Sequence, residues 1–418
     1  MNINTQFLNS AEGIAKHICS SAYWFDRRCN WIGNAVTEIS PGNNSIFTKS
    51  LSCDVYDGTS GIALFLLALY GYTKRQEYLE TIEGAVNHSL SNAKKLHHVG
   101  RFSFFTGKLG IAYVSLKVGY DLGLNYLTDQ GIELLKGLQK DFEKEHLLDV
   151  ISGNASGIPT LLSLYIIFRD EHMLELAILL GDELIKSSKK GKYGISWNDK
   201  TNGIKSSLHN LTGFSHGTAG IGCSLLELYK ITKENIYKDA AENAFSYENH
   251  WFNKQINNWP DFRSNSLVDA NRLGFKYATA WCHGAPGIGL SRIRAFHLLK
   301  DPKYLLDSNA AINTSIQVLE KAIKNSNFDF SLCHGLSGVC ETLLYADKIF
   351  GTNLYKSMLR RIGLYGIKKY GKEVSYWPCG IKNGVTPGLM LGLAGIGYFY
   401  LQLTDSSKIS NPLMMGYD

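Results

Sequence analysis

Ala280–Gly289 reads A-W-C-H-G-A-P-G-I-G, and a partial copy, S-L-C-H-G-L-S-G, stands at Ser331–Gly338. Each Cys-His-Gly-x-x-Gly unit opens an apolar run, so two thiols and two imidazoles fall at matching turns of a repeated structure. Thiolate and imidazole suit zinc, and a site with three protein ligands keeps a fourth position for water or substrate. Cys282, Cys333 and His334 are the expected ligands. The competing reading makes the cysteines small buried hydrophobes beneath glycine turns, with histidines hydrogen-bonded beside them. About fifty residues apart and with no C-x-x-C, the pair alone does not decide between the two.

The glycine turn recurs outward in both directions. Further copies are Y-D-G-T-S-G-I-A-L-F-L-L at Tyr56–Leu67, F-T-G-K-L-G-I-A-Y-V at Phe105–Val114 and V-I-S-G-N-A-S-G-I-P at Val150–Pro159. S-H-G-T-A-G-I-G at Ser215–Gly222 and M-L-G-L-A-G-I-G-Y-F-Y-L at Met390–Leu401 bring the total to seven. Their first glycines are 46 to 67 residues apart, enough for two helices and their connections. Gly61–Tyr72 is apolar nearly all round and predicts an inner helix, whereas Thr73–Lys95 is amphipathic and predicts an outer one.

An open solenoid needs polar caps, yet the first and last copies are as apolar as the middle ones. The sequence therefore predicts an all-α fold, an α/α toroid of seven helix-pair repeats whose glycine turns gather at one mouth. One domain over residues 1–418 is expected, with a helical lead-in at 1–50, the repeats at 51–403 and a tail at 404–418. Closure would set Cys282 and Cys333 side by side in adjacent repeats, which favours the metal reading. Inserts at Lys192–Leu211 and Gln255–Leu267 carry turn formers and read as hairpins or flaps bordering a site.

Composition narrows the class. With 44% hydrophobic and 19% charged residues, the 418-residue chain has ample material for a core. A net charge of +6 without a basic, aromatic-laced stripe argues against nucleic acid as partner. Met1–Ser20 lacks the pattern of a signal peptide, and no apolar run is long enough for a membrane span. The eight scattered cysteines are read as reduced, in a cytoplasmic protein.

Seven glycine turns, with His-Gly in the fourth, Trp-Cys-His-Gly in the fifth and Cys-His-Gly in the sixth, resemble the lanthionine synthetase C (LanC) family of cyclases. The resemblance runs from about Trp31 to Leu403. Tyr56–Leu67, Asp149–Ser152, Trp259–Arg263 and Trp281–Gly287 look closest to the cyclase domains of class II lanthipeptide synthetases. Those carry a large dehydratase domain in front, for which this chain has no room, so a stand-alone cyclase or one half of such an enzyme is implied.

The resemblance implies one zinc per chain, held by Cys282, Cys333 and His334, with His216 and Asp149 as acid/base residues and His283 beside the first ligand. It implies addition of a peptide cysteine thiol to dehydroalanine or dehydrobutyrine, closing a (methyl)lanthionine thioether ring. The expected partners are a dehydrated precursor peptide and, with it, a dehydratase and an exporter, through which the protein would meet the membrane peripherally. Ala278 stands where some members have an arginine, so Arg263 becomes the candidate for stabilising an anion, and Ser156 stands where the third turn should have glycine. Tyr56 and Trp281, with Phe214 and Tyr398, are candidates for lining the mouth.

Two anionic thiolates already neutralise the metal, so a third sulfur from substrate stays electron-rich, which favours thiol activation over water activation. Attack at the β-carbon leaves an enolate, for which His216 is the first candidate acid. Three rival readings remain at the level of sequence. One is a LanC-like transfer of glutathione to a dehydroamino acid, another a protein prenyltransferase β-subunit, and the last a peptide- or glutathione-binding toroid without catalysis.

Overall fold

Every glycine turn opens a helix. The computed structural model describes residues 2–40, 43–140, 142, 145–198, 209–263, 274–325 and 328–415. Numbered along the chain, the seven inner helices are α2 (Thr59–Thr73), α4 (Lys108–Leu122), α6 (Asn154–Phe168) and α8 (Thr218–Thr232), followed by α10 (Ala285–Leu299), α12 (Leu336–Phe350) and α14 (Leu393–Thr404). Neighbouring inner helices touch all the way round, and α14 touches α2, which closes the α/α toroid.

The outer ring is made of α3 (Gln76–Asn92), α5 (Asn125–Lys140), α7 (Glu171–Ser187), α9 (Asn235–His250), α11 (Lys303–Asn325) and α13 (Lys356–Tyr370). Burial follows the two sequence patterns. Helix α2 buries Ile62, Ala63, Phe65, Leu66, Leu67 and Leu69, on more than one face, because it is walled by both rings. Helix α3 buries Tyr78, Ile82, Ala85, Val86 and Ser89, one stripe at helical spacing. Each fully buried aliphatic or aromatic side chain contributes about 1.5–3 kcal/mol.

Six inner helices stop at a left-handed residue: Lys74, Gly123, Arg169, Lys233, Lys300 and Gly351. In three of them the cost of that conformation in a non-glycine residue is offset by cation–π contact, Lys74 on Tyr70, Lys233 on Tyr229 and Lys300 on Phe296. A cation at a helix C-terminus also suits the macrodipole.

The seventh pair differs from expectation. The outer partner of α14 is α1 (Ile3–Ser20), at the opposite end of the sequence, so part of the expected lead-in belongs to the ring. Phe7 lies 6.0 Å from the Tyr400 ring, and the Tyr400 hydroxyl donates to Gly363 O at 2.8 Å. Nor is the rest of residues 1–50 helical: it holds the antiparallel hairpins β1–β2 (Tyr23–Phe25, Arg28–Asn30) and β3–β4 (Ile32–Ser40, Asn43–Ser50). The insert at Lys192–Leu211 overlaps a third hairpin, β5–β6 (Lys189–Gly191, Gly194–Ser196), and residues 199–208 of it, like 264–267 of the second insert, lie outside the described residues. The expected tail is packed: Leu413, Met414 and Met415 are buried at the mouth away from the glycine turns, where the inner helices end.

Two inner helices are joined by an ion pair in the interior. Arg294 of α10 grips Glu227 of α8 through Nε and, at 2.9 Å, through a second nitrogen, and both side chains are buried. Removing one partner strands the other charge, so Glu227→Ala is expected to cost about 3–5 kcal/mol, read as a lowered urea midpoint. Glu227→Gln, which keeps the acceptor oxygen, is expected to cost less.

Candidate active site

The glycine turns are stitched to one another in a closed circle. Val55 and Tyr56 N–H groups donate to Phe105 O, and Ser103 and Thr106 hydroxyls donate to Ile151 O. Val150 and Ile151 N–H donate to Ser215 O, Ser215 N to Cys282 O, Cys282 N to Cys333 O, Cys333 N to Met390 O, and Met390 N to Tyr56 O. Seven turns thus share seven links, and the backbones of Cys282 and Cys333 meet at 3.3 Å although they are far apart in sequence. Extended backbone at the turn is paired here as a strand edge would be.

Glycine is required where the turn enters each helix. A Cβ at Gly287 would sit 2.0 Å from Trp281 O, and Gly284 adopts φ +90, outside the range an L-residue tolerates. In the third turn Ser156 takes the corresponding place and its hydroxyl accepts from Phe104 N at 3.0 Å, while Gly157, one residue on, makes the close approach to Phe102 O. The off-pattern serine is therefore accommodated without displacing Asp149.

Cys282 and Cys333 lie side by side on turns whose backbones are bonded, and the Tyr56 hydroxyl donates to Cys333 Sγ at 3.1 Å. The neighbouring Cys333 thiol pushes the Cys282 thiol down against its burial, helped by the charges of Arg263, His334 and His216. Cys333 is pushed up correspondingly, so the pair gives up its first proton easily and its second with difficulty. Burial pushes the other thiols up, Cys19 and Cys53 to about 11 and Cys379 to about 12. They behave as packing cysteines.

His334 follows Cys333 on the same turn. Its Nε2 lies 3.0 Å from Gly380 O, and among the described residues nothing hydrogen-bonds to Nδ1. Two thiols side by side and an imidazole whose far nitrogen is tied to a carbonyl fit zinc in kind. Among the described residues no three His, Cys, Asp or Glu side chains already converge as a cage.

His216 and Asp149 come together from adjacent turns, Nδ1 to Oδ2 at 2.5 Å. The other carboxylate oxygen accepts Ser152 N at 2.7 Å, which fixes the carboxylate and assigns the Nδ1–H tautomer to His216. The His283 ring lies 5.8 Å from that of His216, but it is buried and neither nitrogen is hydrogen-bonded. Burial, then the charge of Arg263, holds His283 far below its ordinary pKa and keeps it neutral.

Arg263 lies within electrostatic reach of both cysteines. Asp261 holds its guanidinium by a fork, Nε to Oδ1 at 3.0 Å and a terminal nitrogen to Oδ2 at 2.5 Å, and stands 3.8 Å from His283. Asp261 was not expected as a site residue; its only sequence signal is the two-residue spacing to Arg263. Two expectations need correction. Trp281 and Phe214 are fully buried and packed together at 5.7 Å, with Phe105 against Trp281 at 5.4 Å, forming a floor under the thiols and offering a ligand no surface. Tyr398 lines a cleft of about 560 Å³ at the other mouth, with Tyr72, Lys74, Lys117 and Asn411.

A family model described as lanthionine synthetase C-like protein matches residues 49–415. The lacticin 481/lactococcin biosynthesis protein LcnDR2 of Lactococcus lactis subsp. lactis is 26% identical over 393 residues, with 89% of this chain and 38% of LcnDR2 covered. This chain thus spans well under half of that relative. The nisin biosynthesis protein NisC of the same organism is 22% identical over 352 residues, covering 76% of this chain and 79% of NisC. The solved structure of nisin cyclase superposes with a TM-score of 0.65 at 19% identity, over 87% of this chain and 92% of that one. Among the described residues no helix is long and apolar enough to cross a membrane.

Proposed function

The chain belongs to the lanthionine synthetase C-like family, and on that premise we propose that it is a zinc-dependent lanthipeptide cyclase, adding peptide cysteine thiols to dehydroalanine or dehydrobutyrine. The observation that carries the reading is that the Cys282 and Cys333 turns meet, backbone to backbone, in the same circle of turns that pairs His216 with Asp149. Cys282, Cys333 and His334 would hold the metal, with one position left for the substrate sulfur. Bound there, zinc supplies a lowered pKa to that sulfur and so a nucleophile at neutral pH.

The chain's own residues handle the proton and the charge. Nε2 of His216 accepts the thiol proton, with the imidazolium stabilised by Asp149, and returns it to the α-carbon of the enolate left by attack at the β-carbon. Arg263, oriented by Asp261, offsets the enolate charge. Tyr56 holds Cys333 in place by its hydroxyl. The S–H and C=C bonds become C–S and C–H, so mass is conserved and no oxidant is needed. The substrate's alkene comes from dehydration of serine or threonine, the class of reaction a partner dehydratase would perform.

The reading is tested on a peptide carrying one dehydroalanine and one cysteine, with zinc present. The expected product has unchanged mass and one fewer thiol open to alkylation. A product heavier by one glutathione, formed when glutathione is supplied and with the peptide thiol still open, would point instead to intermolecular transfer. A peptide unchanged under both conditions would overturn cyclisation.

A further inference from the structure

Exposed large hydrophobic side chains recur along one short stretch of the chain. Tyr23, Trp24, Phe25, Ile32, Val36, Ile46 and Phe47 are all exposed, Phe25 by 75% and Ile32 by 49%, and they fall within the two N-terminal hairpins. Scattered exposed hydrophobics are ordinary, whereas such a cluster marks an interaction surface. The hairpins lie almost wholly ahead of the family-matched residues 49–415.

The root of β3–β4 is fixed beside the candidate site. Asn34 N donates to Val385 O at 2.9 Å, and Val385 N donates to Asn34 Oδ1 at 2.8 Å. Lys49 lies 3.8 Å from Asp57, the residue after Tyr56, whose hydroxyl holds Cys333. The arm is thus tied to the first and last turns of the ring, beside the thiols.

Its outer strand is open. Leu51 N donates to Trp31 O, so in this antiparallel ladder residues 45, 47 and 49 bond inward and Ile46, Thr48 and Ser50 turn their backbone groups away from β3. Among the described residues β4 pairs with β3 alone. Natural edges are usually blunted by charge or proline, yet β4 reads N-N-S-I-F-T-K-S, with one lysine and no proline, and that lysine is paired with Asp57.

We propose that β3–β4 is a docking arm for the peptide substrate, an extended apolar segment of which adds as a strand to the open edge of β4 beside Ile46 and Phe47. This rests on the cyclase reading above. A strand's outward N–H and C=O groups are satisfied in register only by another extended strand, which favours a peptide over a folded partner. Such a strand leads along β4 toward Lys49 and the Tyr56 turn, delivering the flanking chain to the thiols. A globular partner on the same face would stand over the mouth that substrate must enter.

Thr48→Pro tests the edge, because it deletes an outward N–H without breaking a ladder bond. Ile46→Ser with Phe47→Ser tests the apolar contribution and keeps the question open should the proline unfold the hairpin. The probes are two synthetic peptides with one dehydroalanine and one cysteine, one of them extended by a flank of alternating valine and threonine. Each variant is expected to raise KM for the extended probe about 10-fold relative to the short one, the worth of one lost hydrogen bond and its contacts. Equal effects on both probes, or none, would overturn the arm. If neither probe is cyclised, fluorescence anisotropy of the labelled extended probe still decides, since wild type should bind it and Thr48→Pro should not. A dimer in sedimentation that Thr48→Pro dissociates would assign the edge to a second copy of the chain and overturn the proposal.

Discussion

Replacing Cys333 by alanine is expected to leave the purified protein without zinc and to lower thioether formation by about three orders of magnitude, while far-ultraviolet circular dichroism stays helical. Cys333 is the centre of the contacts on the thiol side: it accepts Cys282 N through its backbone, and its sulfur receives the Tyr56 hydroxyl. Alanine keeps the backbone bonds of Cys333 to Met390 and from Cys282, so the circle of turns persists and only the sulfur is lost. Elemental analysis of wild type should give about one zinc per chain, as expected for a three-ligand site. The control is Cys340→Ala on α12, the helix that this turn opens, where a buried thiol is pushed up and serves packing. It should lose some stability but neither metal nor activity. Zinc retained in Cys333→Ala, or absent from carefully prepared wild type, would remove the metal from the proposed chemistry.

The part of the fold legible in the sequence is the part that stereochemistry makes obligatory. Gly284 at φ +90 and Gly287 against Trp281 O admit no other residue, so the turns repeat visibly and the inner helices can be counted. The closing of the ring by α1 was not legible, because its partner α14 lies nearly four hundred residues away in the sequence. The hairpins were hidden for a different reason: Ile32, Val36 and Ile46 alternate without burial, so their pattern follows no core.

At the site, the candidate residues were legible as residue type and spacing, whereas their orientation was not. Trp281 and Cys282 are neighbours on one turn, yet the tryptophan is fully buried in the core while the cysteine is only partly covered. Likewise Asp261 acquires meaning only when folding brings Arg263 and His283 to it. His216 and Asp149 meet because adjacent turns are bonded at Ile151 and Ser215, a link that no spacing in the sequence announces.

That meeting yields the second large effect. His216→Ala is expected to lower turnover about 10²- to 10⁴-fold with zinc content unchanged, the range for removal of a positioned acid–base group. Asp149→Asn should do nearly as much for a subtler reason. The asparagine oxygen can still accept Ser152 N, so the turn keeps its shape, but its amide nitrogen then faces Nδ1 of His216. A donor opposite Nδ1 forces the proton onto Nε2, the nitrogen that has to accept it from the thiol, and the imidazole is left in the wrong tautomer. The double variant should therefore be little slower than His216→Ala, since both changes disable one unit. Additive losses would mean that Asp149 acts independently of His216. An Asp149→Asn variant with near-wild-type turnover would reduce the carboxylate to a cap for Ser152 and pass the acid–base role to another group at the mouth.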